Sequence, residues 1–234
     1  MSFRERLLAT LRGVRAVLDE PGVMVGGSQV PNLLQPGAGS TLVVSQDVDI
    51  VVPVEKHEAV RQRLSRVVGL KPSREEPSVW LPERPELIEV NFIGMDAGAR
   101  AGETYVFEHD ELPLLVFGNL SVLRLGAPVE VDGQLVPVPR PAGLLIEKLS
   151  TDRSGEKGDR DLLVVMGLLL VSAPFDIDEL EALYRTLPPE QRYAIRSNLS
   201  ILSLLGPRSE MPDPVPHRAQ LARLMARLER AEPA

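Results

Sequence analysis

Cysteine is absent from this 234-residue chain, which excludes a disulfide framework, thiolate catalysis and cysteine-held zinc or iron–sulfur centres. Histidine is scarce: His57, His109 and His217 are the only three, and their spacing suggests no metal cluster. With five Phe, three Tyr and one Trp, the chain lacks the aromatics for a base-stacking platform on single strands. Long apolar runs are missing too. The longest, Leu162 to Val171, falls far short of the roughly 20 residues that a spanning helix needs. Arg12 and Arg15 interrupt any apolar region near the N-terminus, so a soluble, cytoplasmic protein without a membrane partner is expected. There is no excess of positive charge either. A net charge of −7 argues against broad coating of nucleic acid while leaving room for a local basic groove.

A hydrophobic content of 44% rules out intrinsic disorder. Leu7, Leu11, Val14 and Leu18 recur at helical spacing and predict one amphipathic helix that stops at Pro21-Gly22. Val23-Met24-Val25 reads as a short strand, Gln29 to Leu34 as a short helix, and residues 36–41 as a Gly- and Ser-rich loop. The β-branched run Val48, Ile50, Val51 and Val52 predicts a buried strand ended by Pro53, followed by a helix over 55–68. Residues 78–81 and 86–93 look extended, and Asp132-Gly133 between two apolar triplets is a hairpin signal. After Pro139-Arg140-Pro141 the pattern becomes helical, over roughly 142–152, 159–172, 177–187, 190–205 and 216–231. The expected fold is therefore α+β: a small mixed sheet with flanking helices over residues 1–140, then an α-helical C-terminal half over 141–234 that covers the cleft.

Two elements carry chemistry. Asp47-Val48-Asp49 places two carboxylates at i and i+2 at the head of an apolar strand, where they share a face. Like charges held side by side repel, and a divalent cation with oxygen ligands relieves them. Spacing alone does not single this pair out, since Asp159–Asp161 and Asp176–Asp178 repeat it; those two sit in helix N-terminal turns, where Asp favours the dipole. Gly26-Gly27-Ser28 follows a strand and precedes a helix. Glycines let the backbone approach a phosphate, amides at a helix start bind anions, and the hydroxyl adds a donor. The turn is neither a P-loop nor a dinucleotide fingerprint, because Gly-Lys-Ser/Thr and Gly-x-Gly-x-x-Gly are both absent.

In this order the elements resemble the nucleotidyltransferase (DNA polymerase β-like) superfamily, and within it the abortive-infection and toxin-type nucleotidyltransferases. The likeness runs through Gly-Gly-Ser, then Ser45-Gln46-Asp47-Val48-Asp49, then Pro139 to Leu149 as a proline followed by a lysine-bearing helix. It continues at Asp152-Arg153 and Glu156 to Leu162, similar to an Arg…Lys-Asp-x-x-Asp-Leu segment. Nineteen residues separate Gly27 from Asp47, more than the pattern's usual spacing, and the arginine expected before the Asp-x-Asp is missing.

The resemblance implies Mg²⁺ (or Mn²⁺) held by Asp47, Asp49 and a third carboxylate on a neighbouring strand, for which Glu89 is the candidate and Asp96 the fallback. It implies nucleotide binding by Gly26, Gly27, Ser28 and Lys148, with Asp161 orienting that lysine or the incoming hydroxyl. Arg153 and Lys157 are further phosphate candidates. Transfer would then run from an NTP, ATP among them, to an RNA 3′ end such as that of tRNA, a protein hydroxyl, or a small molecule such as an antibiotic. A toxin-like role with an antitoxin partner belongs to the same resemblance. Arg196, Arg208, Arg218, Arg223, Arg227 and Arg230 would give the helical half a basic surface for RNA. If Lys148 stands across the cleft from the Gly-Gly-Ser turn, Lys148→Ala should weaken NTP binding without lowering the melting temperature. The alternative is a non-catalytic nucleotide- or partner-binding module on the same fold, distinguished by where Glu89 points. A glycosyltransferase reading of Asp-x-Asp leaves Gly-Gly-Ser and the Lys148 helix unexplained.

Overall fold

The computed structural model describes residues 1–34, 46–151, 156–207 and 213–231, and of residues 156–160 the backbone alone. The Gly-rich stretch at 36–41, Arg153, Arg208 and the side chain of Lys157 lie outside the described residues. The fold is α+β. Helices α1 (Phe3–Gly13) and α2 (Arg15–Leu18) lead into β1 (Met24–Val25), a 3₁₀ turn at Gly27–Gln29 and α3 (Val30–Leu34). Then come β2 (Asp47–Pro53), α4 (His57–Arg63), β3 (Leu70–Pro72), β4 (Val79–Pro82), β5 (Glu89–Met95), β6 (Thr104–Phe107) and β7 (Leu114–Phe117). A separate hairpin, β8 (Val129–Val131) and β9 (Gln134–Val136), precedes α5 (Pro141–Ser150), α6 (Glu156–Val171), α7 (Pro174–Thr186), α8 (Pro189–Leu204) and α9 (Arg218–Arg230).

The seven-stranded sheet is mixed and organised around β5. One edge of β5 pairs in parallel with β2 along its whole length. The other edge is shared: β4 pairs antiparallel with its first half, at Val90 and Asn91, and β7 pairs in parallel with its second half, at Ile93 and Gly94. β1 closes one side antiparallel to β2, and β3 extends the other through β4. Val48, Ile50, Val90 and Phe92 are buried, whereas Asp47, Asp49, Glu89 and Asn91 on the opposite face are half-buried. The β8–β9 hairpin turns at Asp132 and Gly133, both at positive φ (49° and 74°), the geometry that Asp-Gly was expected to supply.

The first amphipathic stretch is two helices, not the one expected. The Gly13 carbonyl accepts from Val68 N–H at 3.0 Å, and a Cβ at Gly13 would lie 2.7 Å from the Val68 oxygen. This close approach of a neighbouring chain segment accompanies the break at Val14, and it is a tertiary contact that no local period encodes. The helix expected over 55–68 is likewise shorter, α4 being flanked by 3₁₀ turns.

Strands give way to helices at Pro141, which stands at the start of α5, where a proline's missing N–H leaves no bond unmade. α5 is the centre of the helical part, packed against α6, α7 and α8, and buried from Ala142 to Leu149. Buried side chains on both sides of Pro141 form one cluster, from Leu7 and Ile50 to Leu145 and Leu224. No helix among the described residues is long and apolar enough to cross a membrane.

Candidate active site

The parallel register of β2 and β5 sets Asp47 opposite Glu89 and Asp49 opposite Asn91. All four side chains therefore stand on one face of the two central strands. Asn91 ties the pair together: its Nδ2 donates to Asp47 Oδ2 at 2.8 Å and lies 3.4 Å from Asp49 Oδ1. Burial pushes the Asp49 carboxyl above its ordinary pKa, and the Asp47 charge adds to the rise; the Lys148 charge and the Asn91 hydrogen bond oppose it, and Glu147 adds a further upward push. The Glu89 carboxyl is also raised, by burial first and then by the charges of Asp47 and Glu76. This is an electrostatically loaded face that favours a cation.

The Gly26-Gly27-Ser28 turn rests directly on that face. Gly26 N–H donates to the Asp49 carbonyl at 2.9 Å, continuing the β1–β2 pairing, so its amide is committed to the sheet. Gly27 has φ +66°, and a Cβ there would lie 2.1 Å from Asp49 Oδ2. Only glycine lets the turn approach the carboxylate so closely. Ser28 is buried in the following 3₁₀ turn. Gln29 reaches back, its Nε2 donating to the Asp47 carbonyl at 3.2 Å and lying 3.4 Å from Ser28 Oγ. Of the three turn residues expected to bind phosphate, Gly26 therefore has its amide engaged within the sheet.

From the helical side, α5 supplies Glu147 and Lys148 and α6 supplies Asp161, all buried. Lys148 Nζ lies 3.2 Å from Glu147 Oε2 and 4.0 Å from Asp161 Oδ1. The expected neighbourhood of Lys148 and Asp161 is thus present, and the Lys148 charge acts on Asp49. A lysine in a solvent-filled cleft is not what the structure contains: Lys148 is 7% exposed and held between carboxylates, so its removal will disturb the fold as well as the site. Asp161 is part of this buried cluster rather than a helix-end charge on the surface, whereas Asp176 does cap α7, accepting from Ala173 N–H at 2.7 Å.

Asp96 stands apart. It lies just past the far end of β5, accepting from Tyr105 Oη–H and Gly98 N–H at 2.8 Å each, and these bonds hold its carboxyl below the ordinary range. Between the two third-carboxylate candidates, only Glu89 shares the face of Asp47. Asn91 and Glu147 were not among the residues expected at the site. Asn91 was legible only as a residue two along from Glu89, and Glu147 only as the neighbour of Lys148. Of the arginines expected to form a basic surface, Arg227 is engaged by Asp178 and Glu181.

Among the described residues, no group of three His, Cys, Asp or Glu side chains is gathered closely enough to hold a metal ion by itself. The donor set that is present, two neighbouring carboxylates with Glu89 in register beside them, suits Mg²⁺. That ion keeps several waters and is commonly held by one or two carboxylates together with substrate phosphates.

No protein-family profile matches the chain, and no curated protein matches it by sequence. Solved structures similar to it include the following two. One is the solution structure of the antibiotic-resistance factor ANT(2'')-Ia, 12% identical, with 95% of each chain covered and a TM-score of 0.38. The other is the crystal structure of an antigenic nucleotidyltransferase-like protein from Paracoccidioides brasiliensis, 16% identical, covering 97% of this chain and 94% of that one at a TM-score of 0.48.

Proposed function

We propose that this protein is a metal-dependent nucleotidyltransferase, which moves a nucleoside monophosphate from an NTP to a hydroxyl acceptor and releases pyrophosphate. The observation that carries this reading is the contact between the Gly27 turn and Asp49. A phosphate held at Gly27 and Ser28 would lie beside the carboxylates, so that the two requirements of phosphoryl-type chemistry, anchored phosphate and neutralised charge, meet at one point.

Asp47 and Asp49 are the residues that would hold a divalent cation, with Glu89 beside them in register. Bound there, the cation supplies charge neutralisation on the triphosphate and lowers the pKa of the acceptor hydroxyl. The rest falls to the chain. Gly27 and Ser28 hold the triphosphate and Lys148 adds positive charge to the face, while Asn91 keeps Asp47 and Asp49 aligned. The acceptor oxygen forms a bond to the α-phosphorus, the bond to the bridging oxygen breaks, and that oxygen leaves with pyrophosphate. The hydroxyl proton passes to a carboxylate of the face, with Glu89, in register beside Asp47, as the candidate acceptor.

Asp161 would act through Lys148 by fixing its position. The acceptor class (tRNA end, protein or small molecule), a toxin-like role and an antitoxin partner stay with the resemblance stated above. The test is incubation with each α-labelled NTP, Mg²⁺ or Mn²⁺ and total RNA or lysate. Label in a macromolecule or small product, together with pyrophosphate, is expected, and what is labelled names the acceptor. Binding of NTP without transfer to any acceptor would favour the non-catalytic module instead.

A further inference from the structure

Beyond the carboxylates, the same face of the sheet turns apolar. Ile93 and Met95 follow Asn91 at alternate positions of β5 and share its face, and Leu115 of β7 is the parallel partner of Ile93. Val106 of β6 pairs with Leu115, and Thr104 with Phe117, so Val106 and Phe117 stand on that face too. These five apolar side chains are neighbours across three strands. The face behind them is covered: Leu114 and Val116 are buried, and Phe107 packs on the His57 ring of α4 at 4.9 Å. The face in front is open, with Val106 46% exposed and Leu115 and Phe117 37% each. Contiguous exposed apolar side chains of this kind mark a binding surface.

The position of this surface selects its occupant. Gly26 N–H bonds the Asp49 carbonyl on the β1 side of β2, so the Gly27 turn stands on one side of Asp49, while β7 and β6 lie beyond β5 on the other. Where pyrophosphate leaves toward the turn, in-line displacement brings the acceptor oxygen from the opposite side of the α-phosphorus, over β5. The apolar side chains begin there. Ile93 is two residues along from Asn91, about 7 Å of strand. An acceptor that reaches Asp47 and Asp49 from that side runs across them.

The surrounding charge selects the chemistry. From Glu89 to Val122 the acids are Glu89, Asp96, Glu103, Glu108, Asp110 and Glu111, and the one Lys or Arg is Arg100. Arg61 engages Glu111 at 2.7 Å. Asp96 and Glu103 border the apolar side chains at the β5–β6 connection, and Glu108 and Asp110 at the β6–β7 connection. Such a border repels phosphates and attracts cations. We propose that the acceptor is a serine, threonine or tyrosine hydroxyl in an apolar, basic segment of polypeptide seated on β5, β7 and β6. This rests on the nucleotidyltransferase reading and names its substrate class. The side-chain oxygen bonds to the α-phosphorus, the bond to the bridging oxygen breaks and pyrophosphate leaves, and the hydroxyl proton passes to a carboxylate of the face.

The probes are a set of fluorescein-labelled peptides of Leu and Lys with Ser, Thr or Tyr at successive positions, the same set with Glu for Lys or Gly for Leu, and unmodified tRNA. Binding is read by anisotropy with Mg²⁺ and each α,β-methylene NTP, and transfer with the α-labelled NTPs. The Leu–Lys set should bind at least tenfold tighter than either control set, resist displacement by tRNA and take up label. The double variant Leu115→Ser/Phe117→Ser, at exposed positions, should weaken these peptides at least tenfold and keep the parent's joint binding of Mn²⁺ and NTP. Parental peptide affinity in that variant, equal binding of the Glu set, label in tRNA but in none of the peptides, or loss of NTP binding in the variant would overturn the proposal; the last would assign the surface to the nucleobase. A parent that fails to hold Mn²⁺ with NTP overturns the nucleotidyltransferase reading and this proposal with it, whereas joint binding without preference for the Leu–Lys set overturns this proposal alone.

Discussion

A methyl group added at Gly27 would sit 2.1 Å from Asp49 Oδ2 and 3.1 Å from Asp49 Cγ, on a backbone whose φ is +66°. Two costs follow for Gly27→Ala. The left-handed backbone costs an L-residue roughly 1–2 kcal/mol. The overlap forces the carboxylate aside, and overpacking of this kind typically costs about 1–3 kcal/mol. The sum is about 2–5 kcal/mol. The two costs separate in an Asp49→Ala background, because the offending oxygen is gone and the nearest surviving Asp49 atom is Cβ, at 3.4 Å. There Gly27→Ala should cost only the backbone share, about 1–2 kcal/mol. Urea unfolding of parent, both single variants and the double variant closes the cycle, with an expected coupling of about 1–3 kcal/mol. Gly27→Ala should also lose NTP-dependent metal binding, since Asp49 is the group displaced. If Gly27→Ala costs the same in both backgrounds, the turn does not rest on the carboxylate and the reasoning fails.

Lys148→Ala should destabilise the protein by about 3 kcal/mol, because it removes a buried cation lying beside the buried Glu147 and Asp161 carboxylates; a denaturation curve within about 0.5 kcal/mol of the parent would contradict this. Asp49 and Glu89 have raised pKa values in the folded chain, so the folded state holds protons that the unfolded state releases. Their contribution to stability is greatest below the ordinary carboxylate range and falls as pH rises through the raised values. Asp49→Asn should flatten that fall, and an unchanged pH–stability profile would speak against it. Glu89→Gln should abolish transfer with little loss of stability. Asp96→Ala should do the reverse, losing the Tyr105 and Gly98 bonds while keeping transfer, and paired activity and melting measurements on the two variants decide the matter.

Much of the fold was legible because its signals are local. Asp132-Gly133 demands positive φ at two successive positions, and the prolines that open α5, α7 and α8 mark helix starts by removing an N–H that a helix does not use there. The Asp47–Asp49 pair was legible because alternation on a strand puts i and i+2 on one face. What local pattern cannot carry is the non-local pairing. Sequence context ranks Glu89, inside an extended run, above Asp96, past Gly94, but only the β2–β5 register, joining residues 42 apart, sets Glu89 opposite Asp47. Asn91 has the same explanation. Lys148 was legible as a member of an amphipathic helix but not as a buried one, since the helix is covered on several sides by α6, α7 and α8. The break after α1 likewise comes from packing between distant segments.

The central claim is that Asp47, Asp49 and the Gly27 turn form a metal–nucleotide site, and Mn²⁺ binding followed by electron paramagnetic resonance tests it without an acceptor. Because only two carboxylates are gathered tightly, Mn²⁺ alone should bind weakly, and addition of an NTP should draw both onto the protein together. Asp47→Asn and Asp49→Asn, near-isosteric and uncharged, should each abolish that joint binding while the chain stays folded. Mn²⁺ and NTP held as tightly by both variants as by the parent would contradict the account.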